Sequence, residues 1–336
     1  MSRADQSALE NLLRAGVEER VAPSMCAWVA IDGSPRAEAA AGQASVETVF
    51  DVASLTKPMV VVTQAMVDVA QGNIQLDDEV ELAFGHRRTY RELLGHRSGL
   101  PAWEDLWAVA SASLPGWTPG DPAVWRLVEE RIGALLTERP EVGVVYSDLG
   151  YIQLGRALER LHGRSLRELN PLCGPVARAA PTGPCPRRRS SLMGQVHDLN
   201  CWVLGGVAGH AGAFASVTEV GAWALDLLRS SLNQGGRFDG GVVREFWSRE
   251  NRSGGATWVL GWDTPSEHGS SGGQFMSDEA VGHLGFTGTS VWIDPACGLV
   301  AVLLTNRVAG PEGSQERIRD FRRRFHDDLR AYFGLS

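Results

Sequence analysis

Strand-like runs stand at the two ends of this chain, and the stretch between them reads as helices and turns. Ser24 to Ile31 reads as a strand, and Asp32-Gly33-Ser34-Pro35 folds it back as a hairpin. Near the other end, Ser290 to Ile293 and Leu299 to Thr305 are two β-rich runs joined by Asp294-Pro295-Ala296-Cys297-Gly298, a second hairpin. Amphipathic helices bracket both. Residues 7–20 place Leu9, Leu12, Leu13 and Val17 on one stripe, and the last helix aligns Ile318, Phe321, Phe325, Leu329 and Tyr332. Helical stretches fall near 122–137, 147–162 and 216–232, the last opened by the capping-box pattern Ser216-Val217-Thr218-Glu219. The pattern predicts an α+β fold: an antiparallel sheet built from the two chain ends, flanked by helices, with a mostly helical insertion between them.

The 336 residues suffice for one large domain or two medium ones. An apolar fraction of 43% and a charged fraction of 21% describe a globular chain. A net charge of −8 argues against nucleic acid as a partner, and the arginine runs 187–189 and 322–324 are expected on solvated faces. No apolar run is long enough to span a bilayer, and the first residues lack the apolar core of a secretory signal, so a cytoplasmic location is expected. Five cysteines without a C-x-x-C pair fit reduced thiols, and the eight histidines form no H-E-x-x-H; no metal or cofactor is expected. The glycines around His210 lack dinucleotide-binding spacing. Nothing in the pattern reports the oligomeric state.

Composition singles out one residue. Of 32 basic residues, only Lys57 is a lysine. Where arginine codons are otherwise preferred, a surviving lysine marks a position at which a fixed cation will not serve, because lysine can release its proton and arginine cannot. Lys57 closes Ser54-Leu55-Thr56-Lys57, at the start of a helix expected from Ser54 to about Ala70 and closed by Gly72. Three residues along a helix return to the same face, so the amine can reach the Ser54 hydroxyl. A serine hydroxyl is a weak nucleophile until a neighbouring base takes its proton. The helix N-terminus also favours a developing oxyanion beside Ser54.

Two further sites follow. In Tyr146-Ser147-Asp148, a tyrosine beside an ammonium is expected to have a depressed pKa and to exchange protons with the nucleophile. In His283-Leu284-Gly285-Phe286-Thr287-Gly288-Thr289, glycines on a strand allow a ligand close to the backbone. Taken in order, the three sites resemble the family of class C β-lactamases, their penicillin-binding relatives and related serine esterases, which carries S-x-x-K, then Y-x-N, then K-T-G or H-x-G. Phe50-Asp51-Val52-Ala53, Leu94-Gly95-His96-Arg97-Ser98-Gly99-Leu100-Pro101 and Gly206-Val207-Ala208-Gly209-His210-Ala211-Gly212 look like the family too, and the resemblance runs from about residue 10 to 335.

The resemblance implies a β-lactamase/transpeptidase-like arrangement. Residues 1–75 and 255–336 would form a discontinuous sheet domain, 76–254 a mainly helical one, with the active site in the cleft between. Ser54 would be the acylated nucleophile. Lys57 and Tyr146 would share general-base and general-acid duty, and which of them holds the proton is open. The oxyanion hole would use the backbone N–H groups of Ser54 and Phe286, with Asp148, His283 and Gly285 contacting substrate.

Two departures bear on the substrate. Asp148 replaces the usual Asn and, ionised, only accepts hydrogen bonds. His283 replaces a Lys and is expected to be largely neutral at pH 7. Both remove a donor or a positive charge from the side where an anionic β-lactam would dock, and Asp148 can raise the pKa of Lys57 by pairing with it. The expectation is therefore a serine hydrolase acting through a Ser54 acyl-enzyme on a small, neutral ester or amide, esterase-like. The alternatives are a β-lactamase or D-alanyl-D-alanine peptidase, or a catalytically silent binding protein on the same scaffold. His197 and Asp198 either border the cleft or form a structural pair beside the glycine-rich loop, and His96 is expected to support a turn.

Overall fold

The computed structural model describes residues 3–334. Five antiparallel strands form the main sheet: β1 (Ser24–Ile31), β2 (Ser34–Gly42), β3 (Val281–Leu284), β4 (Ser290–Asp294) and β5 (Leu299–Thr305). Their spatial order is β2-β1-β5-β4-β3, so the first hairpin and the last meet through β1 and β5, with Ala27 opposite Leu303. The sheet is built from the two chain ends, as the strand-like runs predict.

Side-chain alternation decides what each face buries. On β1 and β5, Met25, Ala27, Val29, Leu299, Ala301 and Leu303 point into one apolar layer with the helices α1 (Arg3–Glu18) and α6 (Ser314–Phe333). Their intervening neighbours, Cys26, Trp28, Ala30, Val300, Val302 and Leu304, belong to the larger core on the opposite face. Both faces are therefore covered, which is why these strands read as near-continuous apolar runs. Helix α5 (Val217–Ser231) lies against the second face with Gly221 over Trp28; a Cβ there would come within 2.3 Å of the indole. Leu9, Leu13, Ile318, Phe321, Phe325 and Leu329 are buried as their stripes require. Tyr332, one turn further along, is 57% exposed, and Phe333 beside it is the residue that packs on this layer.

The central segment supplies α3 (Pro122–Glu138) and α4 (Asp148–His162), matching the expected spans to within a residue. Each starts on a side-chain cap, Asp121 and Ser147, that satisfies otherwise free N–H groups. The Ser147 cap fixes where α4 begins, and so where Tyr146 and Asp148 stand. Among the described residues, no helix is long and apolar enough to cross a membrane.

One local expectation fails. The segment after Ser54 is not a single α-helix: a 3₁₀ turn (Ala53–Leu55) leads into a π-helical stretch (Lys57–Val62), and α2 (Thr63–Gln71) is regular only thereafter. Pro58 explains the change, since it has no N–H to donate and its ring crowds the preceding turn. The Thr63 hydroxyl donates to the Pro58 carbonyl at 2.8 Å. Gly72 closes α2 in the left-handed conformation, at φ 73°.

One arginine in each run departs from expectation, while Arg187, Arg189, Arg323 and Arg324 are exposed as expected. Arg322 is buried and donates to the Gly285 and Thr289 carbonyls at 2.9 and 2.7 Å. Arg188 is half-buried and donates to the carbonyls of Val196, His197 and Asp198. Runs of cations resemble a solvated face in sequence, but a guanidinium can be buried where several carbonyls converge on its planar fork.

Candidate active site

The turn that presents Ser54 is held from beneath by Asp51. This buried carboxyl accepts the Ala53 N–H at 2.9 Å through Oδ1 and the His197 N–H at 2.6 Å through Oδ2. Burial pushes its pKa up to about 6, although the two N–H donors act in the opposite sense. Ala53 takes a left-handed φ of 50°, unusual for a residue with a Cβ, directly before the nucleophile. The Asp51 bond to its N–H helps to hold that conformation.

Lys57 is completely buried, and its Nζ reaches three oxygens: Ser54 Oγ at 3.1 Å, Tyr146 Oη at 2.7 Å and Asp148 Oδ1 at 2.6 Å. An ammonium has three N–H donors, and here each has an acceptor. Burial pulls the lysine pKa down, but Asp148 and Tyr146 more than offset it, so the net shift is upward. Tyr146 also shifts upward: burial dominates and Asp148 adds to it, outweighing the opposing pull of Lys57. The depressed tyrosine pKa expected from sequence is thus corrected. The ammonium's negative partner is the Asp148 carboxylate, and Tyr146 stays a neutral phenol that also hydrogen-bonds Ser54.

The opposite wall of the cleft is stitched to the Ser54 turn. Beyond β3, Thr287 Oγ1 donates to the Asp51 carbonyl at 2.8 Å and Thr289 Oγ1 to the Val52 carbonyl at 3.0 Å. Gly285 makes this approach possible: a Cβ there would lie 2.0 Å from Thr289 Oγ1 and 2.6 Å from the Val52 carbonyl oxygen. The Arg322 guanidinium grips the same turn from behind. Phe286 follows, its N–H without a hydrogen-bond partner among the described residues. Its half-exposed ring lies between His197, stacked at 5.8 Å, and the Arg307 guanidinium, 4.4 Å from the ring centroid.

Ser54, Tyr146, Asp148, His283, Gly285 and Phe286 all line one cleft of about 810 Å³. His283 is buried and neutral, its pKa driven down to about 3 by burial and by Lys57. Residues left open by the sequence fall into place around this group. His197 and Asp198 do border the cleft but do not pair with each other; Asp198 bonds His210 Nε2 at 2.9 Å. Burial pushes the Asp198 carboxyl up, but His210 outweighs it and holds the pKa down at about 2. Asp148, Asp198 and His210 each offer a ligand atom, all within 4.8 Å of one another, and form a set that could hold a metal ion.

His96 does more than support a turn. Its carbonyl accepts the Val145 N–H at 2.9 Å, its Nδ1 accepts the Ser147 N–H at 3.1 Å, and its ring packs 4.5 Å from that of Tyr146. It therefore holds the Tyr146 segment from both sides, at a left-handed φ of 56°. Trp258, against both Tyr146 and His283, and the cations Arg307 and Arg319 in the cleft had no sequence signal of their own.

A family model for Beta-lactamase matches residues 9–323. The chain belongs to the Beta-lactamase family. Among curated relatives of this family, a protein of Salmonella agona named as a D-alanyl-D-alanine carboxypeptidase is 36% identical over 132 residues, 37% of this chain. That alignment spans 29% of the relative, so the chain accounts for under a third of the curated proteins it matches. Among solved structures, a β-lactamase from Mycobacterium bovis is 22% identical with a TM-score of 0.61, over 96% of this chain and 99% of that one. EstCE1, a hydrolase with promiscuous acyltransferase activity, is 17% identical with a TM-score of 0.65, over 95% and 98%. These similarities show the β-lactamase/transpeptidase-like α+β fold.

Proposed function

We propose that the chain is an esterase-like serine hydrolase that forms an acyl-enzyme at Ser54. The observation that carries this reading is the single buried Lys57, whose Nζ lies within hydrogen-bond distance of Ser54, Tyr146 and Asp148 at once. Once Nζ has lost the proton that Asp148 helps to hold on it, the amine takes the proton of Ser54 Oγ as it attacks the acyl carbon. Tyr146 gives its phenolic proton to the leaving oxygen or nitrogen and recovers one from Nζ. Water then attacks the acyl-enzyme and the proton transfers run in reverse. The N–H groups of Ser54 and Phe286 receive the oxyanion.

The relatives support an ester or amide as substrate, since their names include a carboxypeptidase and a hydrolase with acyltransferase activity. The neutral His283 and the carboxylate of Asp148 favour acyl groups without an anionic substituent beside the scissile bond. Intact-mass analysis after treatment with a fluorophosphonate tests the nucleophile. The wild type should gain one adduct and Ser54→Ala none; labelling that persists in Ser54→Ala rejects this reading.

A second reading, β-lactamase or D-alanyl-D-alanine peptidase, draws on Arg307 and Arg319, cleft cations that could meet a substrate carboxylate. Turnover of nitrocefin well above that of short p-nitrophenyl esters would favour it.

A further inference from the structure

The N–H of Phe286 is one end of a peptide unit whose other end is the Gly285 carbonyl. In a planar trans peptide the C=O and the N–H point in opposite directions. Whatever fixes that carbonyl therefore aims the N–H. Two donors converge on the Gly285 oxygen, the Gly288 N–H at 3.0 Å and Arg322 Nη2 at 2.9 Å. The first closes the turn on itself. The second comes from α6, 37 residues further along the chain. The same Nη2 donates to the Thr289 carbonyl at 2.7 Å, which also accepts the Gly285 N–H at 2.7 Å. One guanidinium nitrogen thus joins the two ends of the turn from Gly285 to Thr289.

This is an unfavourable place for a cation. Arg322 is 6% exposed, and no carboxylate pairs with it among the described residues. Burial lowers its pKa, and the nearby Arg307 and Arg319 lower it further. Its Nε has no partner either. Ile318, Phe321 and Phe325 pack α6 onto the sheet with apolar side chains. If Arg322 only filled space between them, an apolar residue would serve without the desolvation of a charge. What an apolar residue cannot do is act on the Gly285 dipole. A cation at a carbonyl oxygen draws electron density out of the amide and makes the N–H at its far end a stronger donor.

We infer that Arg322 is a positioning residue for the oxyanion hole, which fixes and polarises the Gly285–Phe286 peptide so that the Phe286 N–H is aimed at the developing oxyanion and donates to it more strongly. It acts through that peptide and not on the substrate. This rests on the acyl-enzyme reading and extends its machinery to the helix that closes the described chain. The cleft borders Arg322, so removing the side chain leaves a hole that small solutes can enter.

The test follows inactivation of Arg322→Ala by a fluorophosphonate, whose phosphoryl oxygen takes up negative charge in the oxyanion hole as Ser54 attacks. The limiting first-order constant describes each folded molecule and does not depend on how much of the preparation is folded. It should fall about tenfold or more, a part of the roughly 10²–10³ lost with a whole oxyanion donor. The half-saturating concentration should stay within about twofold, because the interaction strengthens only in the transition state. Millimolar guanidinium should restore much of the rate, whereas urea, which has the shape without the charge, should not. Arg322→Gln, neutral but able to reach one carbonyl, gives the same rate comparison if Arg322→Ala does not fold. A wild-type limiting constant in either folded variant overturns the assignment. A loss that guanidinium restores no better than urea overturns it too, since the charge is then not what the turn uses. Absence of any adduct on the wild type overturns the acyl-enzyme reading instead.

Discussion

Lys57 Nζ and Asp148 Oδ1 stand 2.6 Å apart, and this pairing sets the protonation of the whole site. Asp148 holds the lysine proton on against the effect of burial. Replacing it with Asn should therefore lower the lysine pKa. The rising limb of the pH profile for fluorophosphonate labelling should move to lower pH in Asp148→Asn, by about a unit or more. An unmoved limb would mean that the lysine is not the group that titrates there.

Lys57→Arg keeps a cation in place but cannot cycle a proton. Acylation by a p-nitrophenyl ester should fall by about 10²–10⁴-fold, the range of general-base catalysis. Burst kinetics on the purified variant measure this directly, and near-normal acylation would remove Lys57 from the proton path.

Gly285→Ala should disturb the oxyanion wall without touching the nucleophile. The added methyl would meet Thr289 Oγ1 and the Val52 carbonyl, which are bonded to each other and have little room to yield. A loss of about 10²-fold in acylation rate is expected, the effect of one misplaced oxyanion donor. Wild-type rates for a folded Gly285→Ala protein would place the donor elsewhere.

Three buried histidines should make the fold sensitive to acid. Burial is the main cause that holds His283 and His326 down near 3 and His96 well below its ordinary 6.5. The unfolded chain takes up these protons first as the pH falls, so their stabilisation is complete above pH 6.5 and is lost as the pH falls below it, down to about 3 for His283 and His326. At pH 5 His283 and His326 each cost about 2 kcal/mol, and His96 acts in the same direction. Asp51, raised to about 6, works in the opposite sense, since its ionisation burdens the folded state as the pH rises from about 4 to 6. The histidines outnumber it, and the urea midpoint should drop from pH 7.5 to pH 5. His326 is the informative one, because neither ring nitrogen has a protein partner among the described residues. His326→Leu should flatten that drop, and an equally steep loss in the variant would acquit this residue.

Much of the frame was legible because it depends on local periodicity. The strands of the two hairpins and α1, α3, α4, α5 and α6 follow from side-chain alternation or from 3.6-residue stripes. Ser54 and Lys57 were legible because composition isolates the lysine. Asp51 was not, since its role depends on His197, 146 residues away, arriving over the same carboxyl. Arg322 looked like one of three solvated cations, because nothing local records the carbonyls that converge on it. The Tyr146 protonation was misjudged for a related reason: sequence shows the neighbouring ammonium but not the burial, which proves the larger effect. The break in the helix at Pro58 could have been read from the proline itself.

The buried state of Lys57 has a practical side. The protein has no other lysine, and this one has no accessible surface, so the folded molecule offers amine-directed reagents no lysine to modify. Acylating dyes and crosslinkers aimed at lysine should pass it by until the cleft opens. The rate at which an amine reagent that is not an ester, such as trinitrobenzenesulfonate, finally marks Lys57 is then a clock for that opening, built into the chain without any engineered label.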